Sequence, residues 1–187
     1  TDSMGGLATT VAPVANVTLG LKPTKAVMDA VLKVDKHRTF PKYASRTFES
    51  WYRKNVKTFQ DTFNRHVSFF HGCYVNYNYP QLGKDLISVM NALGYGVHLL
   101  ENEKCCGTAL ISNCMIDQAK KNAVNNVESI RKSVYERQMP VIGTSSSCNF
   151  TIRDEYPHLL GIDNSDVRDY IELATRFIYR LIEEDKV

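Results

Sequence analysis

Residues 97–107 read Val-His-Leu-Leu-Glu-Asn-Glu-Lys-Cys-Cys-Gly, a short apolar run followed by two adjacent cysteines and a glycine. The same order recurs twice, because residues 67–70 precede Cys73 and residues 141–143 precede Cys148. Short apolar runs between helical segments are typical of buried parallel strands. Ligands of open α/β sheets bind beyond the carboxyl ends of the strands, so three such strands would carry four cysteines to one edge.

The spacing of the cysteines fits this arrangement. Between Cys73 and Cys105 there are 31 residues, and between Cys106 and Cys148 there are 41. Each gap is long enough for one crossover from a strand through a helix to the next parallel strand. The sequence therefore predicts an α/β fold, a three-layer domain with a short parallel sheet and an N-terminal helical extension.

Three further segments of the domain have helical periodicity. Pro80 begins a helix that Gly94 ends, and a longer apolar stripe covers about residues 115–138. The apolar residues of segment 165–184 repeat at spacings of three and four, which predicts a last helix that begins at the cap Ser165.

The chain divides into three predicted parts. The first lacks any helical or strand periodicity, the second contains two short amphipathic helices, and the third carries the four cysteines. These parts are a flexible arm at 1–22, a helical extension at 23–65, and a cysteine-rich α/β domain with a C-terminal helix at 66–187.

Composition removes several functional classes. With 187 residues, 43% hydrophobic and 23% charged, the chain has the makeup of an ordinary globular protein. The net charge of +3 without a basic run does not favour nucleic acid as a partner. Apolar stretches fall short of the roughly 20 residues that a membrane span needs. Because the first residue is Thr1 and not Met, we expect a fragment or a trimmed chain.

The thiols point to a metal. Five cysteines without an export signal favour reduced thiols over a disulfide framework. Thiolates select zinc, copper(I) or iron–sulfur clusters. Adjacent Cys105 and Cys106 bind one zinc ion poorly but can reach different irons, so an iron–sulfur cluster is favoured and zinc stays open. Gly107 would let the backbone approach a bound group. Cys114 is interpreted as a buried thiol or a spare ligand.

A third alternative is a thiol–disulfide enzyme that uses the adjacent pair. Disulfides between neighbouring cysteines are strained, and no Cys-x-x-Cys motif is present, so this alternative ranks last.

Segments around the cysteines resemble a known family. The run His71-Gly72-Cys73, the segment 104–107 and Ser147-Cys148 are similar to the cysteine-rich CCG domain. This domain occurs in subunits of heterodisulfide reductases, in glycolate oxidase iron–sulfur subunits and in the iron–sulfur subunit of anaerobic glycerol-3-phosphate dehydrogenases. The flanking residues resemble the last of these, at positions 40–43, 47–48, 51, 79–80 and 153–157.

The resemblance implies a role in electron transfer. A flavin-containing dehydrogenase subunit would oxidise the substrate, and this subunit would pass electrons toward membrane quinone. The implied ligands of a cluster, expected as 4Fe–4S, are Cys73, Cys105, Cys106 and Cys148. The implied location is cytoplasmic, peripheral to the inner face of the membrane. An isolated fragment can lose its cluster, so bare cysteines would also agree with this role.

One position departs from the family pattern. That pattern ends in Cys-x-x-Cys and would place a cysteine at position 145, where this chain has Ser145. The site therefore offers four thiolates rather than five, and we interpret Ser145 as a loop hydroxyl that satisfies backbone groups.

Overall fold

The computed structural model describes residues 2–184, with side chains from residue 5 onward. Its four strands form one parallel sheet, and each is short. The strands are β1 (Arg65–Phe70), β2 (Tyr95–Leu99), β3 (Val141–Gly143) and β4 (Ile171–Leu173). Their order across the sheet is β2-β1-β3-β4. The two central strands, β1 and β3, are paired in register from Ser68 and Val141 to Phe70 and Gly143.

Helices make up most of the remaining chain. The α-helices are α1 (Asp2–Thr10), α2 (Ala12–Gly20), α3 (Lys22–Leu32), α4 (Phe48–Asn55), α5 (Lys57–Gln60), α6 (Gly72–Tyr77), α7 (Pro80–Ala92), α8 (Thr108–Ser112), α9 (Ile116–Arg131), α10 (Ser146–Phe150), α11 (Tyr156–Leu160) and α12 (Ala174–Glu183). Lys132–Glu136 and Thr151–Glu155 continue α9 and α10 as π-helical turns, and Arg168–Tyr170 forms a 3-10 turn.

Helices cover both faces of the sheet. Phe70, Val141 and Ile171 belong to one buried cluster with the apolar residues of α9 and α11. Val67 and Phe69, which point the other way, belong to a second cluster with α4, α7 and α12. A strand that is covered on both faces must be apolar throughout, which explains the continuous apolar runs in the sequence. The predicted three-layer α/β fold is confirmed.

The C-terminal segment differs from its prediction. Ser165 does not begin a helix, because residues 171–173 form the fourth strand and α12 begins only at Ala174. Ile171 is fully buried and pairs with Val141 of β3. Ile171 lies four positions after Val167 and three before Ala174, which is the spacing of an apolar helix face. The three buried residues belong instead to a turn, a strand and a helix in succession.

The N-terminal segment also differs. The sequence predicts an irregular arm at 1–22, whereas α1 and α2 lie within residues 2–20. Tertiary contacts hold these helices. The Asn16 side chain accepts a hydrogen bond from the Tyr43 N–H and donates one to the Tyr43 carbonyl, both at 2.8 Å. Helical periodicity is missing because apolar side chains such as Leu7 and Val14 face solvent.

Other predicted elements lie close to their expected places. The helix from Pro80 ends at Ala92, and the long helix is α9 with its π-helical turn. The helical segment after Cys148 continues through Pro157, which lies in the first turn of α11. That helix ends at Leu160, and Gly161 caps it with φ +64°.

The three-part division of the chain stays a prediction. Residue 1 of the predicted arm and residues 185–187 of the predicted domain lie outside the described residues. Among the residues that are described, no helix combines the length and the apolar character that crossing a membrane requires.

We predict that Ile171→Ala lowers the free energy of unfolding by about 2–5 kcal/mol, because it leaves a cavity in the buried cluster that β4 forms with α9 and α11. Urea unfolding followed by circular dichroism measures the change. Ile182→Ala is the matched control, since Ile182 is 57% exposed and its truncation should change stability by no more than about 0.5 kcal/mol. Equal losses in both variants would contradict the placement of β4.

Candidate functional site

Four cysteines meet at the carboxyl edge of the sheet. Cys73 lies in the first turn of α6 after β1, and Cys148 lies in α10 after β3. Cys105 and Cys106 lie in the loop that leads from β2 to α8. Since the three strands are parallel and adjacent, all three loops leave the sheet at the same edge. The structure thus brings together the four cysteines that the sequence singled out.

The four sulfurs form a continuous row. Cys73 Sγ lies 3.9 Å from Cys105 Sγ, and Cys106 Sγ lies 3.2 Å from Cys148 Sγ. Cys105 and Cys106 are neighbours in the chain and so connect these two pairs. Cys105 and Cys106 are 4% and 3% exposed, and the two outer cysteines are half-buried. The row is therefore shielded at its centre and more open at its ends.

The neighbouring thiols shift each other's proton affinity. Hydrogen bonds with Cys105 and Cys148, and then burial, raise the pKa of Cys106. The hydrogen bond from Cys106 lowers the pKa of Cys148, against the effect of burial. Cys148 is consequently the thiol of this pair that ionises first, and only thiolates bind metals.

Asn126 of α9 holds the start of the cysteine loop. Its side-chain oxygen accepts a hydrogen bond from the Lys104 N–H at 2.8 Å, and its amide donates to the Lys104 carbonyl at 3.0 Å. The same amide donates to the Tyr156 hydroxyl at 3.0 Å. Asn126 is 1% exposed, so water cannot replace these bonds.

Two more side chains hold the carbonyls of the cysteine pair. Asn122 donates to the Cys105 carbonyl at 3.1 Å, and the Tyr156 hydroxyl donates to the Cys106 carbonyl at 2.9 Å. Burial raises the pKa of Tyr156, so its hydroxyl keeps the proton that it donates. We call Asn122, Asn126 and Tyr156 the amide clamp. The clamp fixes the backbone of the pair and leaves both thiols available to a ligand.

Glu103 joins two of the three loops. This carboxylate is 5% exposed, and it accepts hydrogen bonds from the Gly72 N–H at 2.8 Å and the His71 N–H at 3.1 Å. His71 Nδ1 lies 3.2 Å from the same carboxylate. Cys73 and Cys105 are thereby held near each other by a residue that sequence reasoning missed. The only sign of this role in the sequence was the position of Glu103, an acidic residue two positions before the cysteine pair.

Two glycines shape the edge. Gly72 has φ +68°, and a Cβ there would lie 3.5 Å from Cys148 Sγ, so the start of α6 packs directly on that sulfur. Gly107 has φ +99°, and its missing Cβ would face Ala119 of α9 at 3.6 Å. Gly107 therefore serves the turn into α8. An approach of its backbone to a bound group stays a prediction.

The remaining sequence predictions have mixed outcomes. Ser145 accepts a hydrogen bond from the Cys148 N–H at 3.3 Å and caps α10, which confirms its interpretation as a hydroxyl that serves the backbone. Cys114 is exposed, so its interpretation as a buried thiol is wrong. It follows the exposed end of α8 and not a strand, which explains why the core does not cover it.

Four thiols at one sheet edge are a donor set that suits a soft metal centre. Two thiolates on one tetrahedral zinc ion at about 2.3 Å each would lie about 3.8 Å apart. The Cys73–Cys105 separation matches this value, whereas the Cys106–Cys148 separation is shorter. Within the described part of the chain, no three His, Cys, Asp or Glu side chains are grouped so that one ion could bind them.

Comparisons with known proteins agree with this chemistry. The sequence model of the CCG family, described as a cysteine-rich domain, matches residues 67–153. Over 186 residues the chain is 54% identical to one of the subunits of the anaerobic glycerol-3-phosphate dehydrogenase of Escherichia coli, covering 100% of this chain and 47% of that protein. It therefore spans about half the length of this relative.

Two more distant relatives match shorter regions. Lactate utilization protein A of Bacillus subtilis is 32% identical over 97 residues, 52% of this chain and 38% of its own length. One of the subunits of the fumarate reductase (CoM/CoB) of Methanothermobacter marburgensis is 26% identical over 91 residues, 49% of this chain and 18% of its own length. No solved structure matches the chain.

We predict that Asn126→Ala destabilises the protein by roughly 2–4 kcal/mol, because buried peptide groups of Lys104 lose their partners at about 1–3 kcal/mol each. Asn125→Ala is the matched control on the same helix. Asn125 makes one exposed bond, to the Asn102 carbonyl, so its loss should stay below about 1 kcal/mol. Urea denaturation of both variants measures the difference in stability. A similar small loss in both would contradict the role of Asn126 in holding the cysteine loop.

Proposed function

The chain carries a CCG-type cysteine-rich domain at residues 67–153, and from this premise we propose that it is an iron–sulfur electron-transfer subunit. The complex that it would serve is an anaerobic dehydrogenase of the glycerol-3-phosphate type. The observation that carries the proposal is the row of four sulfurs at one sheet edge. The identity of 54% along the whole chain to a subunit of such an enzyme supports it.

The proposed ligands are Cys73, Cys105, Cys106 and Cys148, and the proposed group is a 4Fe–4S cluster. Such a cluster takes up and releases one electron with little rearrangement of its thiolate ligands. Four thiolates match the four irons of this cluster type. Ser145 caps a helix, so it is not proposed as a fifth ligand.

The residues around the sulfurs would support electron transfer in three ways. The amide clamp keeps the backbone of Cys105 and Cys106 in place in either redox state. Burial of the same two residues excludes water from the centre of the row. Glu103 holds the loops after β1 and β2 together, so the distance between Cys73 and Cys105 is maintained. A rigid and partly dry site changes charge with little reorganisation.

The partners follow from the same proposal. A flavin-containing dehydrogenase subunit would deliver electrons to the site, and membrane quinone would receive them. The chain would then lie on the cytoplasmic side, at the inner face of the membrane, through its complex. The three-part division into 1–22, 23–65 and 66–187 completes the proposal, with the last part as the redox domain.

Zinc is the alternative occupant. The 3.9 Å between Cys73 Sγ and Cys105 Sγ agrees with the spacing that two thiolates on one zinc ion would have. A zinc ion would only stabilise the fold, without any redox activity.

We predict that the chain purified without oxygen contains iron and acid-labile sulfide in near-equal amounts, with visible absorption. Cys105→Ser and Cys148→Ser should each lose most of the iron and sulfide, because each removes one of four soft ligands. Cys114→Ser is the matched control, since Cys114 is exposed and is not one of the four proposed ligands, and this variant should retain both iron and sulfide. Stoichiometric zinc without sulfide would replace the electron-transfer proposal by the zinc-stabilised module.

A further inference from the structure

A row of hydroxyl groups leads from the cysteine site to a carboxylate. Cys106 Sγ lies 3.2 Å from Thr108 Oγ1, and Thr108 Oγ1 lies 2.7 Å from Thr151 Oγ1. The Thr151 hydroxyl donates to Glu155 Oε2. Thr151 is 1% exposed, whereas Glu155 is half-buried and reaches solvent. Neither threonine nor Glu155 enters the proposed function.

The number of hydrogens limits this row. Three contacts join Cys106, Thr108, Thr151 and Glu155, and each contact needs one hydrogen. When Cys106 is a thiolate ligand and Glu155 is a carboxylate, only the two threonine hydroxyls supply hydrogens. One of the three contacts then has no hydrogen between its two atoms. Each hydroxyl has a single hydrogen, so the group to which Thr151 donates affects the group to which Thr108 donates.

Glu155 sets the direction of the Thr151 hydroxyl. Because an ionised carboxylate only accepts, it takes the hydrogen of Thr151. The Thr151 oxygen is then left as an acceptor, and it competes with the Cys106 sulfur for the single hydrogen of Thr108. If the group at position 155 donates instead, both hydroxyls turn around, and Thr108 donates to that sulfur. No bond to carbon or sulfur forms or breaks in this change, since only the hydroxyl hydrogens turn.

We infer that Glu155 is a positioning residue that weakens, through Thr151 and Thr108, the hydrogen bond that the Cys106 sulfur receives. The inference rests on the proposed function, because it treats Cys106 as a ligand of the redox centre. Hydrogen bonds to ligand sulfur stabilise the more electron-rich, reduced state and raise the reduction potential. Glu155 therefore keeps the reduction potential of the site low, although Thr108 and Thr151 lie between it and Cys106.

Glu155→Gln tests this directly. Its amide is uncharged and can donate to Thr151, so Thr108 becomes free to donate to Cys106. We expect the midpoint potential of the cluster, measured by redox titration followed by visible absorption or electron paramagnetic resonance, to rise. In the Thr108→Val background the relay is cut without a change of shape, and Glu155→Gln should no longer raise the potential. Thr151→Val should cancel the rise in the same way.

Loss of a negative charge raises a potential by itself, so a control for charge is needed. Asp154 is the neighbouring carboxylate, equally half-buried, and it makes no hydrogen bond to the threonines. Asp154→Asn should therefore shift the potential less than Glu155→Gln does. A shift of equal size in Asp154→Asn, or an unchanged effect of Glu155→Gln in the Thr108→Val background, would overturn the relay.

The outcomes separate the relay from the proposed function. If every variant holds a cluster and Glu155→Gln leaves the potential unchanged, the relay is wrong and the function stands. If the wild-type chain still holds no sulfide after reconstitution with iron and sulfide in the absence of oxygen, the function is wrong. The relay is then judged with Co²⁺ alone on the same thiols, where a hydrogen bond to sulfur moves the sulfur-to-cobalt band to higher energy. A chain that binds neither the cluster nor Co²⁺ overturns both.

Discussion

The hydrogen bonds of Asn126 are the interaction on which the cysteine site depends. One buried side chain satisfies both backbone groups of Lys104 and also orients Tyr156, which holds the Cys106 carbonyl. A loop that enters the protein interior must find partners for its peptide groups, or each unpaired group destabilises the fold. Helix α9 supplies these partners, so the cysteine pair can lie buried without being part of a strand or helix.

The sheet and the clamp act together on the same four sulfurs. Parallel strands bring three loop starts to one edge, but the strands alone leave the loops free to take many conformations. Glu103 joins the loops after β1 and β2, and the contact of Gly72 with Cys148 joins those after β1 and β3. The row of sulfurs is thus fixed from several directions before any metal arrives, which reduces the entropy lost on binding.

Several features of this arrangement were readable in the sequence because they follow from periodicity. Continuous apolar runs predicted strands covered on both faces, and the resemblance to the CCG domain agreed with the positions of the cysteines. The prediction of one helix over 165–184 was wrong, since the spacing of three and four in this segment arises from a turn, a strand and a helix in succession. Helices α1 and α2 were missed because packing on Tyr43 and Tyr77, and not an apolar stripe of their own, holds them in place.

The sequence by itself determined the fold class, the four cysteines and the edge where they meet, because these depend on local patterns and on their order along the chain. Only the tertiary structure decided which side chains surround the sulfurs. Glu103, Asn126 and Tyr156 come from three different parts of the chain. Thr151 and Glu155 are connected to Cys106 only through the contact of Thr151 with Thr108 of α8. Polar side chains of this kind have no period in the sequence, since their partners are set by distances across the fold.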